Sequence, residues 1–195
     1  MTRSNRAAWS THLPPTVAPV LRDWLTETGS LTARLIAHSA QFRVRRIRQA
    51  DGLVGLDDQT ILQVPRRVQV HQRDVVLECD GRPVVFAQSC MPLSATASDW
   101  PVFGRLGERS LGSVLFGDPL VQRGPLQFAR LPPRHALMKQ LDASLGLALV
   151  LAGHARPETM LLARRCLYRR RRGILLVSEI FLPCILDLAL QTNAA

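Results

Sequence analysis

The feature that most constrains this chain is an Asp-Gly pair set between two alternating apolar segments. Asp80-Gly81 is preceded by RVQVHQRDVVLEC and followed by RPVVFAQSCMP. Such a dipeptide accepts the left-handed backbone of a two-residue hairpin turn, and period-two alternation on either side is the pattern of paired strands. With Cys79 opposite Arg82, an unbroken register would set Leu77 opposite Val84, Val75 opposite Phe86 and Arg73 opposite Gln88. Arg73, Val75, Leu77 and Cys79 then share one face, so Arg73 interrupts an otherwise apolar strand surface.

The segments around this hairpin predict an α+β architecture. After Pro14, Pro15 and Pro19, VLRDWLTE places Val20, Leu21, Trp24 and Leu25 on one helical face, and Gly29 ends it. Ser30 is positioned to cap a second helix carrying Leu31, Leu35 and His38. From Gln41 the period changes to two, with a slip near Ile47 and a candidate turn at Asp51-Gly52. Beyond a polar link at Ser94–Asp99, Ser110 caps a short helix that Gly117 closes. PLQFARL predicts a strand, and Arg134–Gly153 a helical stretch relieved by Gly146. LLARRCLYRRRRG and ILLVSEIFLP predict a second hairpin. Its last strand is apolar on both faces and therefore central, with Leu175, Val177, Glu179 and Phe181 on one face. No domain boundary is evident: residues 1–195 read as one domain, with 1–15 a flexible lead-in and 184–195 a C-terminal tail.

Composition narrows the partners. The 195 residues carry 25 basic and 15 acidic side chains, a net charge of +10, and Lys139 is the sole lysine. Such a chain favours anions, whether polymer, membrane surface or small carboxylate. No signal-peptide pattern or uninterrupted span of about 20 apolar residues is present, so neither export nor membrane insertion is expected. Cys79, Cys90, Cys166 and Cys184 lack CxxC spacing and the five His are scattered, so no metal site or disulfide framework is expected. Buried thiols in a reducing cytoplasm account for them. No glycine-rich phosphate loop occurs.

Two charged residues, Arg73 and Glu179, interrupt apolar strand faces. They fit either a buried ion pair or water-exposed strand ends, or else a cavity with a cation at one pole and a carboxyl at the other. Leu31 and Leu111 each follow a capping Ser and present a backbone N–H without an intrahelical acceptor, an arrangement also found in ordinary capped helices. The arginines of Arg169–Arg172, with Arg164 and Arg165 before them, lie beside a single Tyr in a chain only 5% aromatic, without a series of stacking residues between them. They read as a solvated hairpin end rather than a nucleic-acid surface.

Taken in order, LRDWLTETGSLTARL, RDVVLECDGRPVVFAQSCMPLS, LGERSLGSVLFGDP and GILLVSEIFLP resemble the chorismate lyase family. These blocks fall between about residues 20 and 183, and they end in a Glu-hydrophobic-Phe-Leu-Pro signature. The resemblance implies one antiparallel sheet of about six strands with helices packed over it, enclosing a ligand pocket beneath helical flaps. It implies removal of pyruvate from chorismate to give 4-hydroxybenzoate, the first step of ubiquinone biosynthesis, by a cytoplasmic monomer needing no cofactor. The family's essential arginine and glutamate fall on Arg73 and Glu179. Its two other ligand contacts fall on Leu31, where the family often has Met, and on Leu111. About 25 residues around Leu141–Leu162 exceed the shortest family members, and they are expected to elaborate a helix or loop over the sheet. The same fold without catalysis, sensing a small carboxylate effector, is the alternative.

Overall fold

The computed structural model describes residues 6–95, 99–151 and 160–192. Their strands are β1 (Phe42–Leu53), β2 (Gln69–Cys79), β3 (Arg82–Pro92), β4 (Val121–Arg123), β5 (Gln127–Leu131), β6 (Leu161–Arg170) and β7 (Gly173–Phe181). All pair antiparallel in one sheet of order β1-β2-β3-β7-β6-β4, and β5 pairs with the other end of β6. The expected architecture is thus present. The seventh strand is the three-residue β4, too short to carry an alternation signal. β7 is central, as its two apolar faces require.

Helices lie on both faces of this sheet. On one face α1 (Pro19–Leu25) and α2 (Leu31–Ala37) bury Trp24, Leu25, Leu31 and Leu35 against Val44, Val75, Leu77 and Val85. Removing a Leu side chain such as Leu35 from water stabilises the fold by about 2 kcal/mol. Val20, placed by helical periodicity on the packed face, is 42% exposed. It sits in the first turn of a short helix, beyond the reach of the sheet. The same side carries α4 (Leu111–Gly117). On the other face α5 (Ala136–Leu145) and α6 (Leu147–Leu151) bury Leu137, Met138, Leu141 and Leu151 against Val76, Phe86 and Ile180. Part of the expected elaboration around Leu141–Leu162 is therefore core, while residues 152–159 lie outside the described residues. The stretch expected as a tail carries α7 (Ile185–Thr192), with Ile185 and Leu188 buried.

The hairpin register departs from the expected one. Cys79 opposes Arg82 and Glu78 opposes Pro83, but Leu77 opposes Val85. Val84 is the extra residue of a β-bulge, left without a partner of its own in β2. Every later pair moves by one: Val75 faces Ala87 and Arg73 faces Ser89, not Phe86 and Gln88. A second bulge at Ile47, between Arg46 and Arg48, accounts for the slip in β1.

Asp51-Gly52 is not a turn. β1 runs through it, and Gly52 pairs with Val70. An Asp-Gly pair makes a hairpin only when the partner strand follows at once. Here the chain detours through α3 (Asp58–Leu62), which periodicity missed because it has just five residues. Gly52 leaves room for the Gln72 side chain: a Cβ there would meet Gln72 Oε1 at 2.8 Å and push it aside.

The lead-in to α1 is seated on the sheet where it is described. Ser10 bridges Phe128, and the Ala7 N–H donates to Asp57 Oδ2 at 2.8 Å. Asp57 also contacts His135 Nε2 at 2.9 Å. Beside it Arg165, stacked 4.3 Å from the Trp9 ring, approaches Asp58 at 3.7 Å. Burial raises the Asp58 carboxyl to about 6 despite the opposing charge of Arg165.

No helix among the described residues is long and apolar enough to cross a membrane, and none of their His, Cys, Asp and Glu side chains gather into a group of three that could hold a metal. All four cysteines are unpaired, three of them buried.

Candidate active site

The hollow under α2 and α4 follows from side-chain size along β3. Because of the bulge, the small residues Ala87 and Ser89 face this side, and Phe86 is turned to the other. Larger side chains rise on the flanking strands, Arg73, Val75 and Leu77 from β2 and Val177 and Glu179 from β7. Arg73 is opposite Ser89 and Glu179 opposite Ala87. Two strand spacings and two residues of rise separate their Cα atoms by about 12 Å. The cavity so framed brings together all four residues singled out in the sequence: Arg73, Glu179, Leu31 and Leu111 line it.

The roof is made by two helix starts. Ser30 Oγ accepts from the Ala33 N–H and Ser110 Oγ from the Gly112 N–H, as the caps were expected to do. Neither cap takes up the first-turn amide of Leu31 or Leu111, which has no intrahelical acceptor. The two starts touch, with Thr32 Oγ1 2.6 Å from Ser110 Oγ. Gly112 permits this approach: a Cβ there would crowd Ser30 Oγ and Thr32 Oγ1 at 3.1 Å each.

Arg73 is 1% exposed. Its Nη2 donates to the carbonyls of Gly107 (3.0 Å) and Arg109 (2.9 Å), while Nε is buried without a partner among the described residues. Burial, and then the charge of Arg46, push its pKa down to about 10, which leaves it cationic at neutral pH. No carboxylate among the described residues forms an ion pair with it.

Glu179 has a different cation. Arg164 Nε donates to Glu179 Oε2 at 2.6 Å, and among the described residues Oε1 accepts no hydrogen bond. The buried pair open to the sequence reading therefore exists, but with Arg164 in place of Arg73. Arg164 and Arg165, grouped with the solvated arginine run, are buried at 3% and 7% exposure. They sit mid-strand on β6, whereas Arg169, Arg171 and Arg172 are exposed at the hairpin end and Arg170 there is half-buried. Charge density along the chain hides this division. Reading β6 in antiparallel register with β7 exposes it, since Arg164 is the residue opposite Glu179.

Tyr168 is another lining residue that the sequence reading passed over. Burial pushes its phenol well above the ordinary range, so it presents a neutral hydroxyl. The site thus offers an unpaired buried cation, a carboxylate with one free oxygen, a phenol and two roof amides around an apolar floor. That donor set suits an anionic ring compound and a proton transfer.

Comparison with known proteins gives the family. The family model for chorismate lyase matches residues 3–190. A protein of Cupriavidus pinatubonensis named probable chorismate pyruvate-lyase is 44% identical over 185 residues, covering 94% of this chain and 92% of that one. One of Methylobacillus flagellatus with the same name is 44% identical over 169 residues, covering 87% and 90%. Among solved structures, the effector domain of PhnF from Mycobacterium smegmatis superposes with a TM-score of 0.52 at 16% identity, over 80% of this chain and 90% of that one. That likeness speaks for the fold alone. On the family match and these relatives, the chain belongs to the chorismate lyase family.

Proposed function

We propose that the chain is a chorismate pyruvate-lyase that converts chorismate into 4-hydroxybenzoate and pyruvate, the entry into ubiquinone biosynthesis. The observation that carries the reading is the buried, unpaired Arg73 facing Glu179 across a floor of small residues. Chorismate is a dicarboxylate with an enolpyruvyl ether beside a ring C–H. Arg73 holds a substrate carboxylate by charge-assisted bonds. The Leu31 and Leu111 amides and the Tyr168 hydroxyl complete the positioning. The ring C–O bond to the enolpyruvyl group breaks, the neighbouring ring C–H gives up its proton, and the departing enol carbon gains one, leaving pyruvate. Glu179, with Oε1 free, mediates this proton traffic. The step balances with proton transfer alone, and aromatisation drives it.

The test is to incubate the chain with chorismate, following 4-hydroxybenzoate by absorbance and pyruvate by a coupled assay. Turnover abolished by Glu179→Ala supports the reading. Turnover that survives both Glu179→Ala and Arg73→Ala overturns the site assignment. The fold likeness to an effector domain favours a second reading, a non-catalytic carboxylate sensor. It predicts binding of 4-hydroxybenzoate without release of pyruvate from chorismate.

A further inference from the structure

Arg164 touches two functional parts of the pocket at once. Through Nε it holds Oε2 of Glu179. Through Nη1 it donates to the carbonyls of Leu25 (3.2 Å) and Glu27 (2.9 Å), at the end of α1 and in the connection to α2. That connection leads directly into Gly29 and Leu31, which roof the pocket. A guanidinium is a rigid planar fork, so the direction of Nε dictates that of Nη1. A shift of the connection by an ångström must rotate Nε away from the carboxylate.

A second arginine makes the comparison that isolates this effect. Arg123, from β4, also grips the connection, with Nη2 3.4 Å from the Glu27 carbonyl and Nη1 bonded to that of Thr28. It does not contact Glu179.

We propose that Arg164 is a positioning residue that couples the aim of Glu179 to closure of the α1–α2 connection over the bound ring, while Arg123 fastens the connection without holding the carboxylate. The inference rests on the lyase reading above. When the roof is seated, Arg164 aims Oε1 of Glu179 at the substrate. When the roof lifts to release product, the same movement takes the carboxylate out of register.

The experiment measures single-turnover conversion of chorismate and the dissociation rate of 4-hydroxybenzoate for the full chain and three variants. Arg164→Gln is expected to slow the chemical step about 100-fold. It should also speed product release about 10- to 100-fold, the loss of one charged hydrogen bond. Arg164→Lys returns a charge near Oε2 but not the fork, so it should recover the chemical step in large part and leave release fast. Arg123→Gln should speed release and leave the single-turnover rate as in wild type. Full rescue of both rates by Arg164→Lys overturns the coupling, because a point charge would then suffice. Arg123→Gln slowing chemistry as much as Arg164→Gln also overturns it, since both would act through general loosening. A wild-type chain without turnover refutes the lyase reading and this inference together. Turnover unaffected by Arg164→Gln refutes this inference alone.

Discussion

Replacing Arg73 by Met removes a guanidinium that is 1% exposed and has no counter-ion among the described residues. Burial lowers its pKa from the ordinary guanidinium range to about 10. Holding the charge in the folded state therefore costs about 3 kcal/mol. Its two carbonyl bonds offset this by about 1.5–3 kcal/mol each. Arg109 is exposed and Gly107 half-buried, so water can take over those acceptors. The terms nearly cancel, and the Tm of Arg73→Met should stay within about 5 °C of wild type, at about 2–4 °C per kcal/mol for a chain of this length. This balance holds below about pH 9, where folded and unfolded chains are both protonated. Above about 10 the folded chain sheds the proton first, and the stability of wild type relative to the variant rises with pH. Binding behaves differently, because a ligand carboxylate buried without its cation loses about 2–4 kcal/mol. The Kd for 4-hydroxybenzoate, measured by titration calorimetry, and the KM for chorismate should rise about 30- to 1,000-fold. An unchanged Kd would refute the assignment of Arg73 as the carboxylate anchor. A weakened Kd accompanied by a large fall in Tm would refute the argument that the residue is held for binding at little net gain in stability.

Glu179→Gln keeps an oxygen for Arg164 but cannot carry the proton, so kcat should fall at least about 100-fold with KM changed little, measured by steady-state pyruvate release. Asp58, raised to about 6, holds a proton in the folded chain that the unfolded chain has already lost; this stabilising contribution is present in acid and lost as pH rises through about 6. Urea unfolding should therefore find Asp58→Asn close to wild type near pH ~4 and more stable by about 3 kcal/mol near pH ~7.5; an equal difference at both would refute the account. Ser110→Ala removes a cap and the contact with Thr32, and should cost about 1 kcal/mol in thermal unfolding while shortening the residence time of 4-hydroxybenzoate.

Much of the pocket was legible because its parts break local patterns. Arg73 and Glu179 stand out where a charge interrupts an apolar strand face, and Ser30 and Ser110 stand out as caps ahead of short apolar helices. Arg164 did not, because it lies in a chain segment dense with arginine, and nothing local separates a buried guanidinium from a solvated one. Its role depends on being opposite Glu179 in the register of β6 against β7. The short elements α3 and β4 fall below the length at which periodicity carries a signal.

The sequence by itself determined the long strands, the hairpin at Asp80-Gly81, the two capped helices and which residues of β2 and β7 share a face, since alternation and capping are properties of near neighbours. Only the tertiary structure decided which side chains meet. The bulge at Val84 moved the register by one and put Ala87 and Ser89, in place of Phe86 and Gln88, between Arg73 and Glu179. That single shift puts small side chains between Arg73 and Glu179 and makes room for a ligand, while the register of β6 against β7 gives Glu179 its partner in Arg164. A one-residue slip exchanges the two faces of a strand, and whether it occurs is settled by pairing across the sheet, not by the pattern along the chain.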